Sequence, residues 1–265
     1  MQITICKQQL HAVHFTSNRQ RWRVSSAFHF SSYPLYLYRL LNSSMNPRDS
    51  FASIDKCQFP YLVHIEAADG AQKLHDCSGI FLESGHVLTA VHCVNKQPDP
   101  FMYTAFFGLY DKERKNDKNV QIRKVVGVAR HPRADLALLE LESDVIFTAA
   151  VQPAIIFQND EFMREEAITT GIGFSPRYRT QVENPLLPQK RCAQQLGTKS
   201  EVCVKKAKGE KMDVLVWTNY PVAMRSERDD LIDDEMNEKL AVFTRLSPHC
   251  DWLHEATGNK WKCLD

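Results

Sequence analysis

Glycine is scarce: there are 10 among 265 residues, about half the usual share of a globular chain. An excess of one charge sign is also lacking, since 33 Lys and Arg face 32 Asp and Glu, a formal net charge of +1. So even a balance gives no argument for binding nucleic acid or an anionic membrane surface. No run of 18 apolar residues occurs, which leaves nothing to span a bilayer as a helix. A secretory leader would need a basic tip, an apolar core of about 7 to 15 residues and a small-residue cleavage site. Met1 to Arg23 is polar and basic, with no such core.

Apolar residues make up 43% of the chain and charged residues 25%, ordinary proportions for a soluble globular protein. The length suits one large β-domain or two small halves sharing an interface. Eight cysteines are compatible with a disulfide framework and an oxidising compartment. Residues 1–50 do not fit the remainder of the chain and read as an unstructured extension or a mispredicted first exon, with Met45 as a second start site.

The chain is organised around residues 77–93, C-S-G-I-F-L-E-S-G-H-V-L-T-A-V-H-C. Phe81-Leu82 and Val87-Leu88 flank the turn-former pair Ser84-Gly85, a hairpin signal. A Cys77–Cys93 disulfide would clamp the end that carries His92 onto the first strand. That would hold the imidazole within the small tolerances a general base needs. Further on, Arg133-Ala134-Asp135-Leu136-Ala137-Leu138-Leu139-Glu140-Leu141 puts a lone carboxylate at the head of an apolar strand. Burying it is costly without a partner, and an imidazole N–H is the natural one.

These stretches resemble the trypsin/chymotrypsin family of serine peptidases. The C-S-G…L-T-A-V-H-C run is similar to the family's C-G-G…T-A-A-H-C, which carries the catalytic histidine. Asp135, 43 residues after His92, falls in a run like N-D-I-A-L-L-x-L, whose aspartate is catalytic. Pro60-Tyr61-Leu62-Val63 resembles the first barrel strand, and Val151-Gln152-Pro153 the linker between barrels. Ile168-Thr169-Thr170-Gly171-Ile172-Gly173 resembles the T-A-G-W-G turn opening the second barrel. Ala241-Val242-Phe243-Thr244-Arg245 resembles a late strand, and Cys250-Asp251-Trp252-Leu253-His254 the closing helix. The resemblance implies an all-β fold over 51–265: two packed six-stranded antiparallel β-barrels, the first about 57–150 and the second about 160–247. A short C-terminal helix comes after them at about 248–257. It implies Cys77–Cys93 and Cys192–Cys203 disulfides, a secreted extracellular protein, and neither cofactor nor metal. Cys250 and Cys263 are free to pair with each other; Cys6 and Cys57 have no evident partners.

The chain departs from the family in two places. No Ile-Val-Gly-Gly terminus precedes Pro60; a cut after Arg48 would expose Asp49, which cannot fill an apolar slot. The G-D-S-G-G-P block is missing too. Counting back from Ala241 places Gly209-Glu210-Lys211-Met212-Asp213 in its slot, ahead of a strand at Val214–Trp217. Lys211 then stands where the nucleophilic serine belongs, and Lys205 at the base of the specificity pocket. The scarcity of glycine is part of the same departure, since the family's active site is lined with it. Neither Ser200 nor Ser226 sits in a G-x-S-x-G turn, and Ser78 and Ser84 belong to the His92 hairpin.

The expectation is therefore a serine endopeptidase homologue that keeps His92 and Asp135 but lacks the nucleophile. It would bind protein or peptide ligands, active peptidases among them, and neither nucleic acid nor membrane. The alternative is an active secreted endopeptidase whose serine lies outside this register. A zinc site of His75, His86, His92 and Cys93 is a further reading, weakened because Cys93 points away from His92. The charged stretch Asp111–Asn119 and the acidic stretch Tyr220–Lys239 both read as solvated loops.

Overall fold

The computed structural model describes residues 52–265 except 54–57, 71, 84, 96–98, 162–166, 176, 189–190, 193–199, 207–211, 228–230 and 234–237. Cys6, Cys57, Arg48, Asp49, Ser84 and Lys211 lie outside the described residues. A two-residue strand, β1 (Ala52–Ser53), comes first. The first barrel is next, made of β2 (Leu62–Asp69), β3 (Gln72–Glu83), β4 (His86–Thr89), β5 (Tyr103–Phe107), β6 (Gln121–Arg130) and β7 (Ala137–Leu141). These six close in the order β2-β3-β4-β7-β6-β5.

The hairpin expected around Ser84-Gly85 is β3–β4, with Ile80 opposite Leu88 and Phe81 opposite Val87. Phe101 to Phe107 is only partly strand. Pro100–Met102 forms a 3₁₀ turn, because Asp99 accepts the Phe101 amide and Pro100 supplies a helical φ at the start.

The second sheet contains β8 (Ile168–Ser175), β9 (Tyr178–Pro185), β10 (Glu201–Lys205), β11 (Val214–Trp217), β12 (Tyr220–Arg225) and β14 (Glu238–Arg245), in the order β9-β8-β11-β12-β14-β10. Beyond β9 the chain curls back, and the Leu187 amide donates to the Cys203 carbonyl of β10 at 2.9 Å. β1 pairs with β9 and β13 (Leu231–Asp233) with β14, giving eight strands in all. Two barrel-like antiparallel sheets and a short closing helix are the architecture the resemblance implied. That helix, Cys250–Ala256, is entered through a 3₁₀ turn at Ser247–His249. Among the described residues no helix is long and apolar enough to cross a membrane.

Two stretches read as solvated loops are so only in part. Tyr220–Arg225 is a buried strand, and Leu231–Asp233 pairs with β14. In the Asp111–Asn119 stretch, Lys112 reaches Asp76 and Lys115 reaches Glu66, each at 2.6 Å. His64, on β2, also contacts Glu66 at 3.1 Å. Burial alone would raise the Glu66 carboxyl, but His64, Lys115 and Lys73 hold it at about 2. Glu66 is buried and Asp76 half-buried, so the lysines serve as partners to these acids rather than as free surface charges.

The two sheets meet along residues 110–112 and 177–179. Arg179 donates its amide to the Tyr110 carbonyl and Lys112 donates to the Arg177 carbonyl, both at 3.0 Å. Arg177 grips Asp111 with two bonds of 2.6 Å. The Arg179 side chain is wholly buried, donating to the carbonyls of Leu62 at 3.0 Å and Phe59 at 3.5 Å.

One turn carries strain. Thr218, exposed between β11 and β12, has φ 55°, a value a β-branched residue resists. Thr218→Gly is expected to raise stability by about 1 kcal/mol, read as a higher urea midpoint at unchanged slope. A lower midpoint would show that the threonine is not strained there.

Candidate active site

His92 sits on the single helical turn α1 (Val91–Val94), just after β4. The turn is fastened by the Cys77–Cys93 disulfide, formed as expected, with Cα atoms 6.1 Å apart. Asp135 lies on the connection from β6 to β7. Its Oδ1 accepts the His92 amide at 3.0 Å and its Oδ2 accepts from His92 Nδ1 at 2.7 Å. The Glu227 amide adds a third bond to Oδ2 at 2.7 Å. Burial alone would raise the Asp135 carboxyl, but the His92 ring and the two amides outweigh it and keep it below the usual range. The carboxylate therefore stays charged, holds the proton on Nδ1, and leaves the Nε2 lone pair as a base.

Glu227 was missed in the sequence because only its backbone acts. It comes right after Ser226 at the end of β12, and Ser226 is buried beside it. The remaining expected disulfide, Cys192–Cys203, is present, and Cys250–Cys263 forms too.

The start of β11 is tied to the His92 corner. Ser78, next to Cys77, donates its hydroxyl to Asp213 Oδ2 at 2.5 Å. Asp213 is fixed further by its amide on the Ile172 carbonyl and its carbonyl on the Arg225 amide, both 2.9 Å. Met212, just before it, is a core residue whose thioether packs onto Gly171 and accepts from Asn184 Nδ2 at 3.0 Å. The segment leading into β11 thus ends beside the disulfide that carries His92. Ser200 stands elsewhere, in a cavity on the Asp135 side shared with Glu201 and His249.

The residues of the zinc reading are each engaged differently. His75 Nε2 bonds the Cys93 carbonyl at 2.8 Å, His86 Nδ1 bonds Glu83, and His92 Nδ1 is on Asp135. Cys93 is held in its disulfide, so it offers no thiolate.

The sequence profile of the family described as Trypsin matches residues 50–213. The chain belongs to the trypsin family. Among curated proteins it is similar to clotting factor C of Tachypleus tridentatus and to Limulus clotting factor C of Carcinoscorpius rotundicauda. Each is 26% identical over 193 residues, covering 63% of this chain and 19% of the relative. The chain thus spans about a fifth of the length of these relatives. The trypsin-family match stops at Asp213, at the threshold of β11. The matched part takes in both partners of the dyad and ends with the stretch 209–213.

Proposed function

We propose that this chain is a trypsin-family domain without the attacking hydroxyl, and that it acts by binding rather than by cleavage. It holds protein or peptide ligands, active peptidases among them, in an extracellular setting. One observation carries this reading. From Val204 to Trp217, between disulfide-bonded Cys203 and the end of β11, there is no Ser, Thr or Cys. Any nucleophile delivered to the His92 corner by the segment entering β11 would have to come from that run. Its candidate, Lys211, is an ammonium at neutral pH and has no lone pair for attack. The family and three disulfides support the extracellular setting.

The intact His92–Asp135 pair supports a second reading, a working endopeptidase whose serine comes from another segment. A fluorophosphonate probe separates the two. The folded protein is expected to stay unlabelled under conditions that label an active trypsin-family enzyme to completion. Covalent labelling that disappears in the His92→Ala variant would overturn the binding reading and identify the serine by peptide mapping.

A further inference from the structure

We infer that His131 is a positioning residue for the His92–Asp135 pair, its Nδ1 lone pair holding in place the backbone that leads into Asp135. The inference concerns the retained pair and does not depend on whether the nucleophile is missing.

His131 comes directly after β6. Its Nδ1 accepts the amide of Arg133 at 3.1 Å and that of Ala134 at 2.8 Å. The His131 amide in turn donates to the Leu136 carbonyl, and the Leu136 amide to the Ala134 carbonyl, each at 2.8 Å. Asp135 therefore sits in a tight loop whose amides converge on one imidazole nitrogen. An asparagine side chain does the same for the amides two and three residues ahead of it. The imidazole plays that role here and adds a titration.

Because Nδ1 accepts two N–H donors, the His131 proton must be on Nε2. That nitrogen lies 3.3 Å from Nδ1 of His249, which is thereby the acceptor. The His249 proton is left on Nε2, which is buried and without a partner among the described residues. Trp252 closes the third side, edge-on to His131 with centroids 5.0 Å apart. An added proton has no place. On His131 Nδ1 it would face two amide donors, and on His249 Nδ1 it would face the His131 N–H.

The charged groups around the pair come from three elements. Arg133 is on the same loop, while Asp135, Glu201 of β10 and Glu227 after β12 line the adjoining cavity of about 590 Å³ with both histidines. Asp135 is already saturated by three donors, and Glu227 is exposed at the rim. Burial, then Arg133, keeps His131 below the ordinary histidine range; burial, then His131, lowers His249 to about 4. The unfolded chain accepts both protons near pH 6.5 while the folded chain refuses them. The support this pair gives the loop is thus complete above about pH 6.5 and is lost as the pH falls toward 4.

The test is proton NMR of the low-field His92 Nδ1–H resonance, assigned by its absence in His92→Gln. Amide exchange at Arg133 and Ala134 is tracked alongside it. His131→Phe keeps a ring on Trp252 but removes the acceptor; His131→Asn restores an acceptor that does not titrate in this range. At about pH 7.5 the resonance is expected in the wild type and in His131→Asn, and lost in His131→Phe. Exchange at the two amides in His131→Phe should be roughly tenfold faster, the factor carried by one ordinary hydrogen bond. Once the pH has fallen below about 4 the wild type should have lost the resonance and His131→Asn should keep it. A folded His131→Phe protein that retains the signal overturns the inference. Should that variant not fold, identical acid behaviour of the wild type and His131→Asn overturns it equally.

Discussion

Purified protein is expected to hydrolyse peptide and ester substrates no faster than its own His92→Ala variant. A trypsin-family triad loses on the order of 10⁴ to 10⁶ in rate when one member is removed. On the proposed reading the dyad alone cannot make that up, because no hydroxyl is delivered to His92 for it to deprotonate. Replacing the lysine is expected to be insufficient as well: Lys211→Ser should stay within about tenfold of the background. An oxyanion hole needs backbone N–H groups presented by a turn that glycine permits, and here the residues after Lys211 are Met212 and Asp213. Met212 is sunk into the second sheet against Gly171, and Asp213 is tied to Ser78, Ile172 and Arg225. Steady-state hydrolysis of a panel of amide and ester substrates, run beside His92→Ala, decides the matter. His92-dependent turnover by the unmodified protein would mean that the nucleophile comes from another part of the chain.

Arg179→Ala is expected to cost roughly 3 to 5 kcal/mol, the range for breaking a buried charged contact with loss of its volume. Among the described residues the buried guanidinium meets no carboxylate, donates to the Leu62 and Phe59 carbonyls, and leaves its Nε without a partner. Burial pushes its pKa down to about 10, against a small opposing pull from Tyr110. The guanidinium stays charged at neutral pH, with the Phe174 ring 5.8 Å away as its aromatic neighbour. Removing the side chain leaves a void and takes from the Leu62 carbonyl its donor at the seam joining the sheets, while the Phe59 carbonyl keeps the Leu62 amide at 3.0 Å. Arg179→Met keeps the stem, gives up the desolvation cost, and is expected to recover about half of the loss. Urea unfolding of the three proteins checks this. An Ala variant as stable as the wild type would show that the guanidinium contributes nothing to the seam.

The parts legible in the sequence are those where one residue type has one physical use. Cys77 and Cys93 bracket a hairpin and are bonded; His92 beside the second of them meets a carboxylate heading an apolar strand. The strand Val214–Trp217 was readable as a short continuous apolar run, and it fixes where the slot before it must end. Less legible were contacts made by backbone or by charge. The Glu227 amide on Asp135 leaves no mark on side-chain identity. Lys112 and Lys115 read as solvated because nothing in sequence says that buried Glu66 and half-buried Asp76 lie across from them. Tyr220–Arg225 was obscured by the acidic run after it, although its own residues are apolar enough for a buried strand.

Sequence motifs, through their resemblance to the trypsin family, were enough for the all-β class and the pairing of His92 with Asp135, and residue identity for the lack of any hydroxyl or thiol from Val204 to Trp217. Those rest on local spacing and on residue chemistry, which travel with the chain. It took the folded molecule to establish that Arg179 fills the seam, that Met212 belongs to the core, and that His131 gathers the amides ahead of Asp135. Each depends on which distant surfaces close over a polar atom. Whether such an atom must be bonded, neutralised or left charged is set by burial, which no single stretch of sequence specifies.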